Sequence, residues 1–161
     1  SGDTIILESC EYCNSFLSFY PTVAVVLNVA ADHLDFFKDL EDIQHSFRAF
    51  ADLVPDRGMV VANWDDEGVR ATFKDYPRPL CRCSVKDKSV EVYAENVAFF
   101  DGFGDFDVIA EGKHYAHVSL RVPGSHNVAN ALCAAAAALI ALIRHRRSRK
   151  KAKMSAEKEE K

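Results

Sequence analysis

The sequence predicts an α/β fold: a mostly parallel sheet flanked by helices, incomplete, with a small antiparallel β meander. Three observations predict it. Short β-branched apolar runs recur at Asp3–Ser9, Val23–Asn28 and Gly58–Asn63, the texture of strands buried on both faces. Between the second and third runs lies a segment with apolar residues at helical spacing. After Pro77 and Pro79 the pattern changes to short segments with turn glycines between them.

Each element follows from its own signals. The runs Asp3–Ser9 and Val23–Asn28 are expected as fully buried strands. Asp39 is placed to cap the next helix. Leu40, Ile43, Phe47, Phe50 and Val54 recur at three- and four-residue steps and give it one apolar face. Pro55 and Gly58 close that helix, and Gly58–Asn63 supplies the third strand. Strand, helix and strand in this order imply a right-handed crossover between parallel neighbours. Asp65 and Asp66 open a second, shorter helix through about Asp75. Segments near Leu80–Val85, Val90–Ala94, Phe106–Glu111 and Tyr115–Val122, with turn signals at Gly102, Gly104 and Gly112, form the expected antiparallel meander. Pro123-Gly124 ends it, and Ser125 can cap a long helix running to about Ile143.

The chain has 161 residues, which suits one domain with a sizeable core. It is 48% hydrophobic and 27% charged, which argues for a globular body and against disorder. It starts Ser-Gly-Asp, so a fragment without a secretory signal is expected. The net charge of −4 is uneven: Arg144 to Lys161 hold nine Lys/Arg against three Asp/Glu, a net +6, which leaves −10 on residues 1–143. The expected division is a domain over 1–143 and a basic, disordered tail over 144–161. A solvated charged end is favoured over contact with nucleic acid or anionic lipid, so no nucleic-acid partner is expected. The apolar run Ala129 to Ile143 falls short of the ~20 residues a membrane span needs, and Asn130 lies inside it, so no membrane partner is expected. Five cysteines (Cys10, Cys13, Cys81, Cys83 and Cys133) make an odd count at irregular spacings. Reduced thiols fit that better than a disulfide framework or a zinc site.

Glu8 lies at the carboxyl end of the first expected strand, and Asn28, Asp32 and His33 follow the second. In an open parallel sheet, ligands bind beyond those ends. A carboxylate is a natural ligand for Mg2+, with waters and phosphate oxygens completing the shell. An imidazole is a less natural one. The residues alone leave His33 open between a metal ligand and a polar side chain satisfied at a strand end. His126, Asn127 and Asn130 begin the last helix, where free N–H groups and the positive dipole end lie. Asn127 and Asn130 are three apart and share a face, and an Asn amide matches the donor and acceptor edge of adenine. Capping is the competing role for both. No H-E-x-x-H and no G-x-x-x-x-G-K-[ST] loop occurs in the chain.

Three blocks in this order resemble the central, ATP-binding domain of the Mur ligases. The first is Glu8-Ser-Cys-Glu11-Tyr-Cys-Asn-Ser15-Phe16-Leu17, followed by Tyr20-Pro21. The second is Leu27-Asn28-Val-Ala-Ala-Asp32-His33-Leu34-Asp35, continuing to Asn63-Trp-Asp65-Asp66. The third is Pro123-Gly124-Ser-His126-Asn127-Val-Ala-Asn130-Ala131. The blocks span about residues 1–140, and the form of the first looks most like the branch that adds L-alanine. The resemblance implies a bacterial, cytoplasmic ligase of peptidoglycan precursor synthesis. Its cofactors would be ATP and Mg2+, and its substrates the small molecules UDP-N-acetylmuramate and L-alanine. ATP would phosphorylate the sugar nucleotide's carboxylate, and the alanine amine would attack the acyl phosphate, a chemistry of positioning and charge neutralisation. By position the resemblance makes Glu8 and His33 the metal-binding, catalytic pair. It gives His126, Asn127 and Asn130 to adenine and has Asn28 and Asp32 support the metal site.

The departures from the family are equally specific. Its phosphate-binding G-T-x-G-K-T/S loop does not occur in this chain, nor do its two outer domains, so the chain alone is expected to be inactive as a ligase. Several relatives carry a carbamylated lysine where this chain has Arg48, or Phe47 allowing for a gap, so no carbamate is expected. Residues 144–161 do not resemble the family's continuation. The alternatives are a degenerate nucleotide-binding or interaction module, and another Mur-family ligase.

Overall fold

A strand with consecutive apolar residues has to be covered on both faces. Met59–Asn63 (β2) meets that demand. Val60 and Ala62 belong to one core, Val61 to another, and all three are buried. The computed structural model containing this strand describes residues 4–159, with side chains through residue 146. The sheet has six strands whose spatial order follows the chain: Val23–Val26 (β1), β2, Leu80–Ser84 (β3), Val92–Phe100 (β4), Phe103–Ala110 (β5) and Lys113–Pro123 (β6). The first four are parallel, with Val23 opposite Met59, Val60 opposite Leu80 and Cys83 opposite Val92. The pairs β4–β5 and β5–β6 are antiparallel.

Helices cover the two faces. Leu40–Asp52 (α1) joins β1 to β2, and the Asp39 carboxylate caps it by accepting from the Asp42 N–H at 3.0 Å. Its buried face, Ile43, Phe50 and Ala51, packs with Phe16 from the 3-10 turn Tyr12–Ser18. The Phe16 and Phe50 rings stack with centroids 4.7 Å apart. Glu67–Phe73 (α2), capped by Asp66, adds Val69 and Phe73 to the same core. The opposite face is covered by His126–Glu159 (α3), whose Val128, Leu132, Cys133 and Ala136 are fully buried with Val61, Phe106 and Val108.

Four expectations are corrected. Residues 4–9 do not form the buried first strand: Ile5, Ile6 and Leu7 are 83%, 92% and 60% exposed, in irregular chain outside the sheet. An apolar run states a capacity for burial, but a strand also needs a neighbour, and β1 pairs only with β2 among the described residues. Asp3 lies outside the described residues.

Leu80–Ser84 is not part of the antiparallel meander but the third parallel strand. A parallel neighbour ordinarily requires a long crossover. Here only Cys83–Val92 and Ser84–Tyr93 pair, so the chain backs up very little before β4 begins. Arg82 braces this join, giving Glu91 a two-pronged ion pair at 2.9 and 2.6 Å plus its own backbone N–H.

The last helix does not end near Ile143. It continues through Glu159, across the segment expected to be disordered, and no Gly or Pro follows Gly124 to stop it. The tail side chains beyond residue 146 lie outside the described residues. The span His126–Arg146, at 21 residues, is long and apolar enough to cross a membrane, contrary to the length expected of its apolar run. Its first turns are nevertheless a core contact of the sheet through Val128, Leu132 and Ala136.

Candidate functional site around His33

The exit of β1 is fastened before the chain reaches His33. The Asn63 side-chain amide donates to the Leu27 carbonyl at 2.9 Å. One carboxylate oxygen of Asp66 accepts both from the Val29 N–H at 3.2 Å and from the α2 cap at Val69 N–H, 2.8 Å. The helix comes so close that a Cβ on Gly68 would lie 1.8 Å from the Val29 carbonyl oxygen. Further on, Phe37 is buried and anchors the far end of the loop.

Between these anchors His33 takes a left-handed backbone conformation, φ +53°. Its N–H donates to the Asp32 carboxylate at 2.7 Å, and its carbonyl accepts from both Phe36 and Phe37 N–H groups at 2.9 Å. These three bonds hold a backbone geometry that costs a non-glycine residue free energy. The imidazole packs against Tyr12, ring centroids 4.8 Å apart, and its Nε2 lies 3.8 Å from the Glu11 carboxylate. The Tyr12 hydroxyl donates to Asp35 at 3.0 Å, and that bond and the Asp35 charge raise the phenol's pKa. The imidazole thus sits among carboxylates, a field that favours cations.

The placement of the other candidates is mixed. Asp32 joins the His33 turn, whereas Asn28 is exposed just beyond β1. Glu8 is exposed in the irregular N-terminal stretch, and the carboxylate that meets His33 is Glu11. Glu11, Tyr12 and Asp35 were within the motif words but carried no distinguishing spacing, because their meeting depends on the 3-10 turn. That turn has left-handed Cys13 and Asn14 inside it. Among the described residues no three His, Cys, Asp or Glu side chains are arranged to hold a metal ion. A protein-caged transition metal therefore does not fit. Mg2+, which keeps several waters and takes phosphate oxygens, needs only one or two protein ligands, and this oxygen-rich surrounding of a single imidazole fits it.

The start of α3 is built on Gly124, φ +111°, whose N–H donates to the Gly102 carbonyl at 2.9 Å. A Cβ there would strike the His126 ring at 2.7 Å. Asn127 and Asn130 do share a face. Asn130 donates to the Asn127 side-chain oxygen at 3.3 Å, and Asn127 donates to the Pro123 carbonyl at 2.8 Å. Both amides hold the turn as donors. Arg48 is engaged through Nε with the Thr72 carbonyl at 2.5 Å. Cys81, Cys83 and Cys133 are buried free thiols, and Cys10 and Cys13 exposed ones.

A second polar cluster lies on the β5–β6 hairpin. A register shift between Val108 and Ile109 brings His114 and His117 to the same side. Both reach one Asp107 oxygen, at 3.2 and 2.9 Å, while Asn96 donates to the other at 2.7 Å. Asp105 lies 3.2 Å from the far nitrogen of His117. The hydrogen bonds from Asn96 and the histidines hold the Asp107 pKa down at about 2, and Asp107 and Asp105 raise that of His117. A depressed acid contributes stability above its unfolded pKa of ~3.9 that is lost as pH falls towards the folded value. A raised imidazole contributes stability fully present below ~6.5 and lost as pH climbs through its folded pKa. The hairpin is therefore expected to be most secure from about pH 4 to 6.5. NMR titration should place His117 above the ordinary imidazole value, and Asp107→Asn should lower it. An unchanged His117 titration in that variant would refute the pairing.

Comparison with known proteins follows the same outline. Residues 3–138 match the Mur ligase middle domain. The chain is 42% identical over 135 residues to the UDP-N-acetylmuramate–L-alanine ligase of Caldicellulosiruptor saccharolyticus, covering 83% of this chain and 30% of that relative. The solved UDP-N-acetylmuramate:L-alanyl-gamma-D-glutamyl-meso-diaminopimelate ligase from Neisseria meningitides superposes with a TM-score of 0.65 at 30% identity, covering 79% of this chain and 38% of that one. The UDP-N-acetylmuramate-alanine ligase of Thermotoga maritima gives a TM-score of 0.58 at 25% identity, covering 74% and 26%. The chain thus spans about 30% of the length of the curated relatives it matches.

Proposed function

Since the chain belongs to the Mur ligase middle-domain family, we propose that it serves as the nucleotide-handling part of an ATP-dependent amide ligase joining L-alanine to UDP-N-acetylmuramate. The observation that carries this reading is the likeness to L-alanine ligases along 83% of the chain. The reaction belongs to peptidoglycan precursor synthesis in the bacterial cytoplasm. When bound, Mg-ATP supplies the phosphoryl group that activates the sugar nucleotide's carboxylate for attack by the alanine amine. The residues of this chain position and neutralise. His33 and Glu8 would hold the cation, with Asp32 fixing the His33 turn and Asn28 supporting the site. Asn130 would meet the adenine base, with Asn127, which accepts from the Asn130 amide at 3.3 Å, orienting it and His126 beside it. The 161 residues contain no G-x-x-x-x-G-K-[ST] loop, so the chain alone is expected to be inactive as a ligase.

The test is a graft. Residues 4–138 replace the aligned segment of the Caldicellulosiruptor saccharolyticus enzyme, and phosphate release is followed with ATP, UDP-N-acetylmuramate and single amino acids. The expected result is release that requires L-alanine, and none from the 161-residue chain. A folded graft that binds nucleotide but turns over nothing makes it an interaction module.

A further inference from the structure

We propose that Tyr12 is a positioning residue for His33, acting with Asp35 as a clasp that holds the imidazole at the cation site. The proposal rests on the assignment of His33 to that site.

A side chain on a surface loop samples several rotamers, and a ligand drawn from that mixture binds more weakly by the fraction that points the wrong way. His33 is fixed along its backbone by Asp32, Phe36 and Phe37, but none of those bonds sets its χ angles. Tyr12 can. Its ring lies against the imidazole at 4.8 Å, tilted 43°, and edge-on to Phe36 at 6.1 Å. Its hydroxyl ties across 23 residues to Asp35, two positions beyond His33 on the same loop. One side chain therefore grips the loop at both the ring and the hydroxyl. Glu11, beside Tyr12, sits on the Nε2 edge at 3.8 Å, so the turn that carries the clasp also carries the carboxylate facing the metal-binding nitrogen. The pair of left-handed residues Cys13 and Asn14 folds the turn back after Tyr12. Asn14 and Ser46 of α1 hydrogen-bond through their side chains and hold that turn on the core.

Partners that orient a metal ligand usually change metal affinity 10- to 100-fold when removed. The experiment is a Mn2+ titration of the 161-residue chain, watching paramagnetic broadening of the His33 imidazole signals, with His114 and His117 as internal references. Tyr12→Ala is expected to need at least about tenfold more Mn2+ for half-broadening of His33. Tyr12→Phe, which keeps the ring and every carboxylate and removes only the bond to Asp35, should fall between it and the parent, and the reference histidines should not change. Circular dichroism confirms that the variants are folded, and Tyr12→Phe serves if Tyr12→Ala is not. Equal half-broadening in parent and folded variants overturns the clasp and leaves the cation site standing. A parent in which His33 does not respond to Mn2+ at all removes both.

Discussion

Gly68→Ala is expected to destabilise the chain by about 3 kcal/mol or more, measured by urea denaturation, although the new side chain is a single methyl. Alanine favours a helix over glycine by up to ~1 kcal/mol, so propensity alone predicts the opposite sign. Sterics decide. The added Cβ would sit 1.8 Å from the Val29 carbonyl oxygen and 2.8 Å from its carbon, and backbone at that position cannot swing aside like a side-chain end. Val29 is also bonded to Asp66, so moving it breaks the cap of α2 and the exit of β1 together. Gly112 is the control: it has φ +70° and nothing within 4 Å, so Gly112→Ala meets only the left-handed penalty of ~1–2 kcal/mol. A Gly68→Ala variant as stable as the parent would show that α2 and the His33 loop do not meet in solution.

What could be seen in the sequence was whatever depends on near neighbours. The Asp39 and Asp66 caps, the apolar face of α1 and the β1–α1–β2 unit all follow from spacings of a few residues. The His33 loop was recognisable because Asp32 and His33 are consecutive and stand just past a strand. Longer-range facts were hidden. Whether Thr4–Glu8 pairs depends on what lies beside β1, which no local pattern states. The parallel register of β3 depends on how far β4 overlaps it. The approach of Glu11 and Tyr12 to His33 depends on two left-handed residues that are neither glycine nor, for Cys13, a usual occupant of that region. Asn127 and Asn130 were correctly placed on one face, yet periodicity cannot say that they bond to each other.

The two cores are separate enough to be tested against one another. Phe73→Ala and Phe106→Ala each remove a ring that is 1% or less exposed. Each is expected to cost about 3–5 kcal/mol, a large share of the ~5–15 kcal/mol that holds a domain together. Their consequences for the site should differ. Phe73 shares its core with Val29 and Phe37, the two anchors of the His33 loop, and ends the helix whose Asp66 cap binds Val29. Phe106 packs on the other side of the sheet with Val128 and Leu132. At equal loss of stability, only Phe73→Ala should displace the amide NMR shifts of Val29, Phe36 and Phe37, whereas Phe106→Ala should move those of Val128 to Leu132. The physical reason is that a close-packed core transmits a cavity to its own lining, and the sheet backbone stands between the two linings. Equal displacement of the His33 loop by both variants would mean that the sheet does not insulate one face from the other. The loop would then have to be treated as coupled to the start of α3.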